Sequence, residues 1–366
     1  MPVASRKWWV LAFFAVIVAF LLYRSRGLLH LNQFSGVKLW DVLRGANVLY
    51  FLAAVLLIYV CYFLRAVRWS NFQKYVGDSR IVPIFNLTVA GFSAVFLLGR
   101  VGEPVRPLLI SRRGKVPLAD TFGIYALERM FDTGFSVVVL ASWFLIVTVQ
   151  KFLNPYSIPS PLENARKTAG TVLTLLVIGI LVLLVYVRSH GGPMLERRMQ
   201  TWLAAHGWRA SFARIVLGVA RGVTTIRNWR DLTYALALSA VHWFLIILVY
   251  YLAAKGFGGT LATLRFQDAM LILALTLVGS VFQLPGIGGG PQAVMIGAYT
   301  KLFGVPSEAA VAAAMVLYLI TFAASTIAGV PILIKEGWSI GQLKSMSEHE
   351  AEEIDAEIIE HPAKPL

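Results

Sequence analysis

Long apolar runs broken by short charged interruptions dominate the chain. Runs of spanning length cover 8–23, 48–64, 135–149, 170–187, 232–254, 269–284 and 309–334, and each predicts a helix able to cross a bilayer. Two further segments are apolar but interrupted. Segment 82–98 holds Pro83, Asn86, Thr88, Gly91 and Ser93, and segment 286–303 begins Gly286-Ile287-Gly288-Gly289-Gly290-Pro291-Gln292. Both predict re-entrant or broken helices, whose freed backbone groups must be satisfied by protein or by a wet cavity. The fold class that follows is all-α: a polytopic integral membrane helix bundle with about seven or eight spanning helices and two re-entrant or broken segments.

Composition agrees with the pattern. Of 366 residues, 58% are hydrophobic and 14% charged, with a mean hydropathy of +0.70. Soluble domains carry about 25% charged residues, so that class is excluded. Residues 1–345 then form one membrane unit, and 346–366 an acidic, disordered tail. The formal net charge is +14. Seven of the 19 acidic residues lie in the tail, leaving 12 acids against 31 Lys and Arg before Lys344. That excess points to anionic phospholipid surfaces. With no interleaving of aromatic and basic residues on a soluble domain, nucleic acid is not expected as a partner. Cys61 is the only cysteine, so a disulfide within the chain is excluded, and it reads as a small buried residue. The N-terminal apolar run is followed by Tyr23-Arg24-Ser25-Arg26 rather than small residues, which predicts an uncleaved first helix.

Charge placement bears on topology. Arg65, Arg68, Lys74 and Arg80 follow the second apolar run, and Arg100, Arg106, Arg112, Arg113 and Lys115 follow segment 82–98. If 82–98 re-enters without crossing, both groups and the Arg-rich linker 194–230 share one side, which the positive-inside rule makes cytoplasmic. In that linker Trp202, Leu203, Trp208, Phe212, Ile215, Val219 and Ile226 alternate with arginines. This fits amphipathic helices at the headgroup level, with a solvated basic loop as the alternative.

Two constellations could carry chemistry. In the first, Arg100, Glu103 and Arg106 precede a helix on which Glu128 and Asp132 share one face beside Arg129. Charges at bilayer depth must turn inward and find partners. They form either an internal salt-bridge lock or a cavity receiving a phosphate headgroup, for which the planar fork of arginine is suited. In the second, Gly286, Gly288, Gly289 and Gly290 lead into Pro291, a potential anion-binding helix start flanked by Gln283 and Gln292. Close helix packing is the alternative there. His242, inside an apolar run, reads as hydrogen-bonded structure. No metal-ligand spacing or catalytic set is readable.

Gly102-Glu103-x-x-Arg106, then Glu128-Arg129-x-x-Asp132, and late in the chain Pro285 with its glycine run, resemble the lysylphosphatidylglycerol synthase transmembrane-domain family. These are flippase-like proteins related to the N-terminal half of the bacterial multiple peptide resistance factor. The resemblance covers nearly the whole chain to about Glu336, and implies translocation of an anionic or aminoacylated phospholipid, or a related lipid, between leaflets of a bacterial cytoplasmic (inner) membrane; the expected topology places the N-terminus on the cytoplasmic side. It implies a headgroup site made by Arg100, Gly102, Glu103, Arg106, Glu128, Arg129, Asp132, Gln283, Gly286, Gly288, Gly289, Gly290 and Gln292. Gln292 stands where the family commonly has a Glu, so a role needing a negative charge there does not carry over. The family's soluble aminoacyl-transferase domain is not present in this sequence, so the expectation is a non-enzymatic protein without cofactor or metal. Two alternatives are an accessory subunit of envelope glycolipid synthesis, working with a synthase or glycosyltransferase on a polyprenyl-phosphate, and a proton-coupled transporter of small solutes. Self-association stays open.

Overall fold

A computed structural model describes residues 36–153, 228–280, 283–284 and 288–337. The runs expected at 8–23 and 170–187, the linker up to 227 and the acidic tail lie outside them. The described residues are almost entirely helical: α1 (Gly36–Arg44), α2 (Val48–Gln73), α3 (Ile81–Leu98), α4 (Val105–Gly114), α5 (Leu118–Leu153), α6 (Trp229–Gly256), α7 (Phe266–Gly279), α8 (Gly290–Phe303) and α9 (Ser307–Lys335). The last contains a π-helical stretch at Leu319–Ala323. The carbonyls around that stretch are used: Tyr59 Oη donates to Ala324 O at 2.7 Å and Tyr62 Oη to Thr321 O at 3.0 Å. Among the described residues, five helices are long and apolar enough to cross a membrane: α2, α3, most of α5, α6 and α9. Their outward faces carry Leu49, Leu52, Leu56, Phe244 and Ile327, all exposed and apolar, as a lipid-facing bundle requires.

The chain doubles back twice, in two helical hairpins. α3 holds Pro83 within its first turn, where the missing N–H costs little. The hydroxyls of Thr88 and Ser93 donate back to the carbonyls of Ile84 and Val89, so these two groups are satisfied locally. Gly99, at φ 69°, ends α3. A 3-10 turn over Gly99–Gly102 follows, and α4 runs back along α3. Gly102 lies on the backbone of Ala94, Gly91 lies against Arg106, and Gly114 reaches Gln73 and Asp78 near the start of α3. Pro104 and Pro107 sit at the cap and first turn of α4, where the missing N–H groups cost little; the glycines make the reversal.

The second reversal pairs α7 with α8. Each has 14 residues, about 21 Å at 1.5 Å per residue, short of a ~30 Å core. Gln283 pairs with Gly289 and Leu284 with Gly288 in a two-rung antiparallel turn, and Gly279 packs on Gly290 and Val294. Region 269–284, expected as a spanning helix, is thus one limb of this hairpin plus its turn. Its polar tip and the glycines behind it stop the helix at Gly279.

The two hairpins come from opposite ends of the bundle. At one end Asp231, opening α6, accepts from Lys74 Nζ at 2.5 Å and Tyr75 Oη at 2.9 Å, just beyond α2. Burial lowers the Lys74 pKa, but Asp231 and Tyr75 outweigh it, leaving it raised. Arg80, Arg113 and Gly114 share this end. At the other end Asn47 N donates to Gly256 O at 2.7 Å, tying the start of α2 to the end of α6. The turn at Gly99–Gly102 touches the strand Gln283–Leu284, so the hairpin tips meet inside the bundle.

Candidate functional site

The two arginines on α2 are the first surprise. In the sequence the apolar run ends at Leu64, and Arg65 and Arg68 follow it. The helix α2 nevertheless continues to Gln73, because Ala66, Trp69 and Phe72 extend its buried face. Arg65 and Arg68 therefore point inward, one helical turn apart.

They meet Glu128 and Asp132 of α5, which share a face at i and i+4. Arg65 Nη1 lies 2.9 Å from Glu128 Oε1 and 2.8 Å from Asp132 Oδ2. Arg68 Nη2 lies 2.9 Å from Glu128 Oε1 and 2.8 Å from Asp132 Oδ1, and its Nη1 donates to Ser239 Oγ on α6 at 2.7 Å. Arg106 of α4 also pairs with Glu128, and its guanidinium lies 4.6 Å over the Trp69 ring. Arg65 sits 5.4 Å over Phe92, a cation–π contact that helps replace lost water. Glu128 is 1% exposed, Arg68 1% and Arg106 4%. Such burial is tolerable only because every charge has an opposite neighbour.

Of the residues expected to act together, Arg106, Glu128 and Asp132 join this network directly. Glu103 stands one step away, accepting from Tyr125 Oη at 2.7 Å, and Arg129 lies over the Tyr125 ring at 5.0 Å. Gly102 is pressed on α3 rather than opened to a ligand. Arg100 is placed only through its backbone in the first turn, Gln283 and Gly288 through theirs in the second, and Gly286 lies outside the described residues. Gly289, at φ 79°, caps α8, with Gly290 at its start and Gln292 in its first turn. The tip contact brings this motif beside the first turn.

Sequence reasoning missed Arg65, Arg68 and Ser239. A signal for the arginines existed: two carboxylates on one face of a membrane helix demand cations at matching spacing, and Arg65-x-x-Arg68 offers it. His242, one turn beyond Ser239, is buried, and its backbone carbonyl receives the Cys61 thiol at 3.9 Å. Cys61 is buried, as expected.

The arrangement can hold an anion. Arg65, Arg68, Arg106 and Arg129 outnumber Glu103, Glu128 and Asp132 by one, and the Nε–H groups of Arg68, Arg106 and Arg129 are buried without a hydrogen-bond partner among the described residues. Buried donors left idle in a polar cluster are places where a ligand or water is bound. No group of three or more His, Cys, Asp or Glu residues could hold a metal ion among the described residues.

An all-helical bundle with several apolar spans and an inward-facing ion network defines a multi-pass membrane protein. The chain belongs to the family described as "Lysylphosphatidylglycerol synthase TM region", which it matches over residues 7–329. It is 25% identical over 328 residues to a protein of Methanothermobacter thermautotrophicus described as a "UPF0104 membrane protein", covering 82% of this chain and 90% of that relative. No solved structure matches the chain significantly.

Proposed function

We propose that the protein is a lipid translocase, passing an anionic or aminoacylated phospholipid, or a related lipid, between the leaflets of a bacterial inner membrane without enzymatic chemistry. The observation that carries this reading is the cationic excess of the buried network together with its idle guanidinium N–H groups. Arg106, with Arg65 and Arg68, holds the headgroup phosphate. Glu128 and Asp132 orient the arginines in the empty site and receive an amino group when the lipid is aminoacylated. Arg106 lies eight residues before Gly114, about 12 Å inside the helix end, deep enough to draw a headgroup off the surface. Arg100, Gly102, Glu103 and Arg129 line the first hairpin's side of this path. Gln283, Gly286, Gly288, Gly289, Gly290 and Gln292 line the second's, with acyl chains left in the bilayer.

In this reading both hairpins are re-entrant, and the end bearing Lys74, Arg80, Arg112, Arg113 and Lys115 is cytoplasmic, as is the N-terminus. Membership in a lipid-related family of membrane proteins supports a lipid as cargo. Proteoliposomes holding a head-labelled anionic phospholipid test it. The purified protein should expose the inner-leaflet label to an impermeant quencher within minutes, whereas empty liposomes keep about half protected. Equal protection in both samples would refute the proposal.

A further inference from the structure

The two hairpins belong to larger units that repeat. The first unit is α2, the α3–α4 hairpin and α5; the second is α6, the α7–α8 hairpin and α9. Their landmarks correspond in nearly constant register. Asn47 and Asn228 stand at the N-cap positions of α2 and α6; Arg80 precedes α3 and Arg265 precedes α7. Each hairpin ends on a left-handed residue, Lys115 at φ 50° and Gly304 at φ 63°. Each is followed by Val-Pro, Val116-Pro117 and Val305-Pro306, with both valines buried. Each proline carbonyl then accepts from the N–H four residues on, Thr121 at 3.1 Å and Ala310 at 2.9 Å. Gly91 lies against Arg106 as Gly279 lies against Val294.

The packing repeats as well. α2 and α6 pack on each other, α3 packs on α9 where α7 packs on α5, and each hairpin packs on its own following helix. The units point in opposite directions, since α2 runs from the end where α6 finishes. This is the arrangement of an inverted-topology repeat.

The copies differ in two respects. The arginine–carboxylate network belongs to the first: at the positions of Arg65, Arg68, Glu128 and Asp132 the second carries Ile246, Val249, Leu317 and Thr321. Packing is also unequal, as α3 is held far more extensively by α9 than α7 is by α5. Two inverted copies of one fold can exchange these packings, and exchange reverses which face of the membrane an inner site opens toward.

We propose that the chain is an inverted repeat of one helix–hairpin–helix unit with a single charged half-site, and that exchange of packing between the copies opens that site to the two membrane faces in turn. The proposal rests on the transport reading but is tested without any lipid. In a Cys61→Ala background, Pro117→Cys and Pro306→Cys place thiols after the two hairpins. An impermeant maleimide applied to oriented vesicles should label them from opposite faces; labelling from the same face overturns the repeat. Ser239→Cys, isosteric and beside Arg68, reports on the site, and Val101→Cys on the first hairpin's turn. An anionic thiosulfonate should modify Ser239→Cys from both faces, and should do the same at Val101→Cys if the first variant fails to fold. Reaction from one face, or from neither, overturns the exchange. If both faces react but labelled lipid does not move, the lipid reading falls and the repeat stands.

Discussion

Glu128 is the point on which the buried charge converges, because Arg65, Arg68 and Arg106 all reach it. Removing one partner of a buried pair costs about 3–5 kcal/mol, since the charge left behind stays desolvated. Glu128→Gln should therefore lower the melting temperature in detergent clearly, whereas Asp78→Asn, whose carboxylate meets Arg80 at the exposed surface, should change it little. Combining Glu128→Gln with Arg68→Gln should cost less than the sum of the two, because the second change removes a charge the first has orphaned. Additive losses in that cycle would show that the pair is not coupled. Glycine matters at one position in the same neighbourhood. A Cβ on Gly91 would overlap the Arg106 side chain, so Gly91→Ala should destabilise by about 1–3 kcal/mol, read as a fall in the same melting temperature.

At the level of elements, the hairpin that carries Arg106 depends on how its limbs end. Lys115 is the only non-glycine with positive φ among the described residues. A left-handed conformation costs an L-residue roughly 1–2 kcal/mol, partly offset in glycine by about 0.5–1 kcal/mol of chain entropy. Lys115→Gly should stabilise modestly and Gly304→Lys should destabilise, again by melting in detergent; equal and opposite signs reversed would contradict the correspondence of the two caps. These elements also mark what was legible. The interrupted run 82–98 announced a reversal, and Arg106, Glu128 and Asp132 were recognisable because intramembrane charges are rare and must pair. What was not legible was the extent of helices. Arg65 and Arg68 looked like the polar flank of a finished helix, since a long basic side chain at an apolar boundary ordinarily snorkels outward. Only the carboxylates on α5, far away in sequence, turn them inward. Region 269–284 was likewise apolar enough to span, and its shortness depends on a turn made by the glycines beyond it.

At the scale of the molecule, an apolar outer face, two hairpins entering from opposite ends and the ion network beside them are the parts on which the proposed translocation rests. Pairing inside the network explains how the protein tolerates so many buried charges. The excess of guanidinium over carboxylate leaves room for one more anion. If a lipid phosphate fills that role, the fork of Arg106 matters and its charge alone does not suffice. The measurement that bears most directly on this is transbilayer movement of a head-labelled anionic phospholipid in proteoliposomes, comparing the parent protein with Arg106→Lys and Arg65→Lys variants whose melting temperatures match it. A lost charge-assisted hydrogen bond is worth about 1.5–3 kcal/mol, so each folded variant should move lipid about tenfold more slowly or worse. Parent-like rates in both folded variants would show that the network is a structural lock and that the headgroup passes elsewhere.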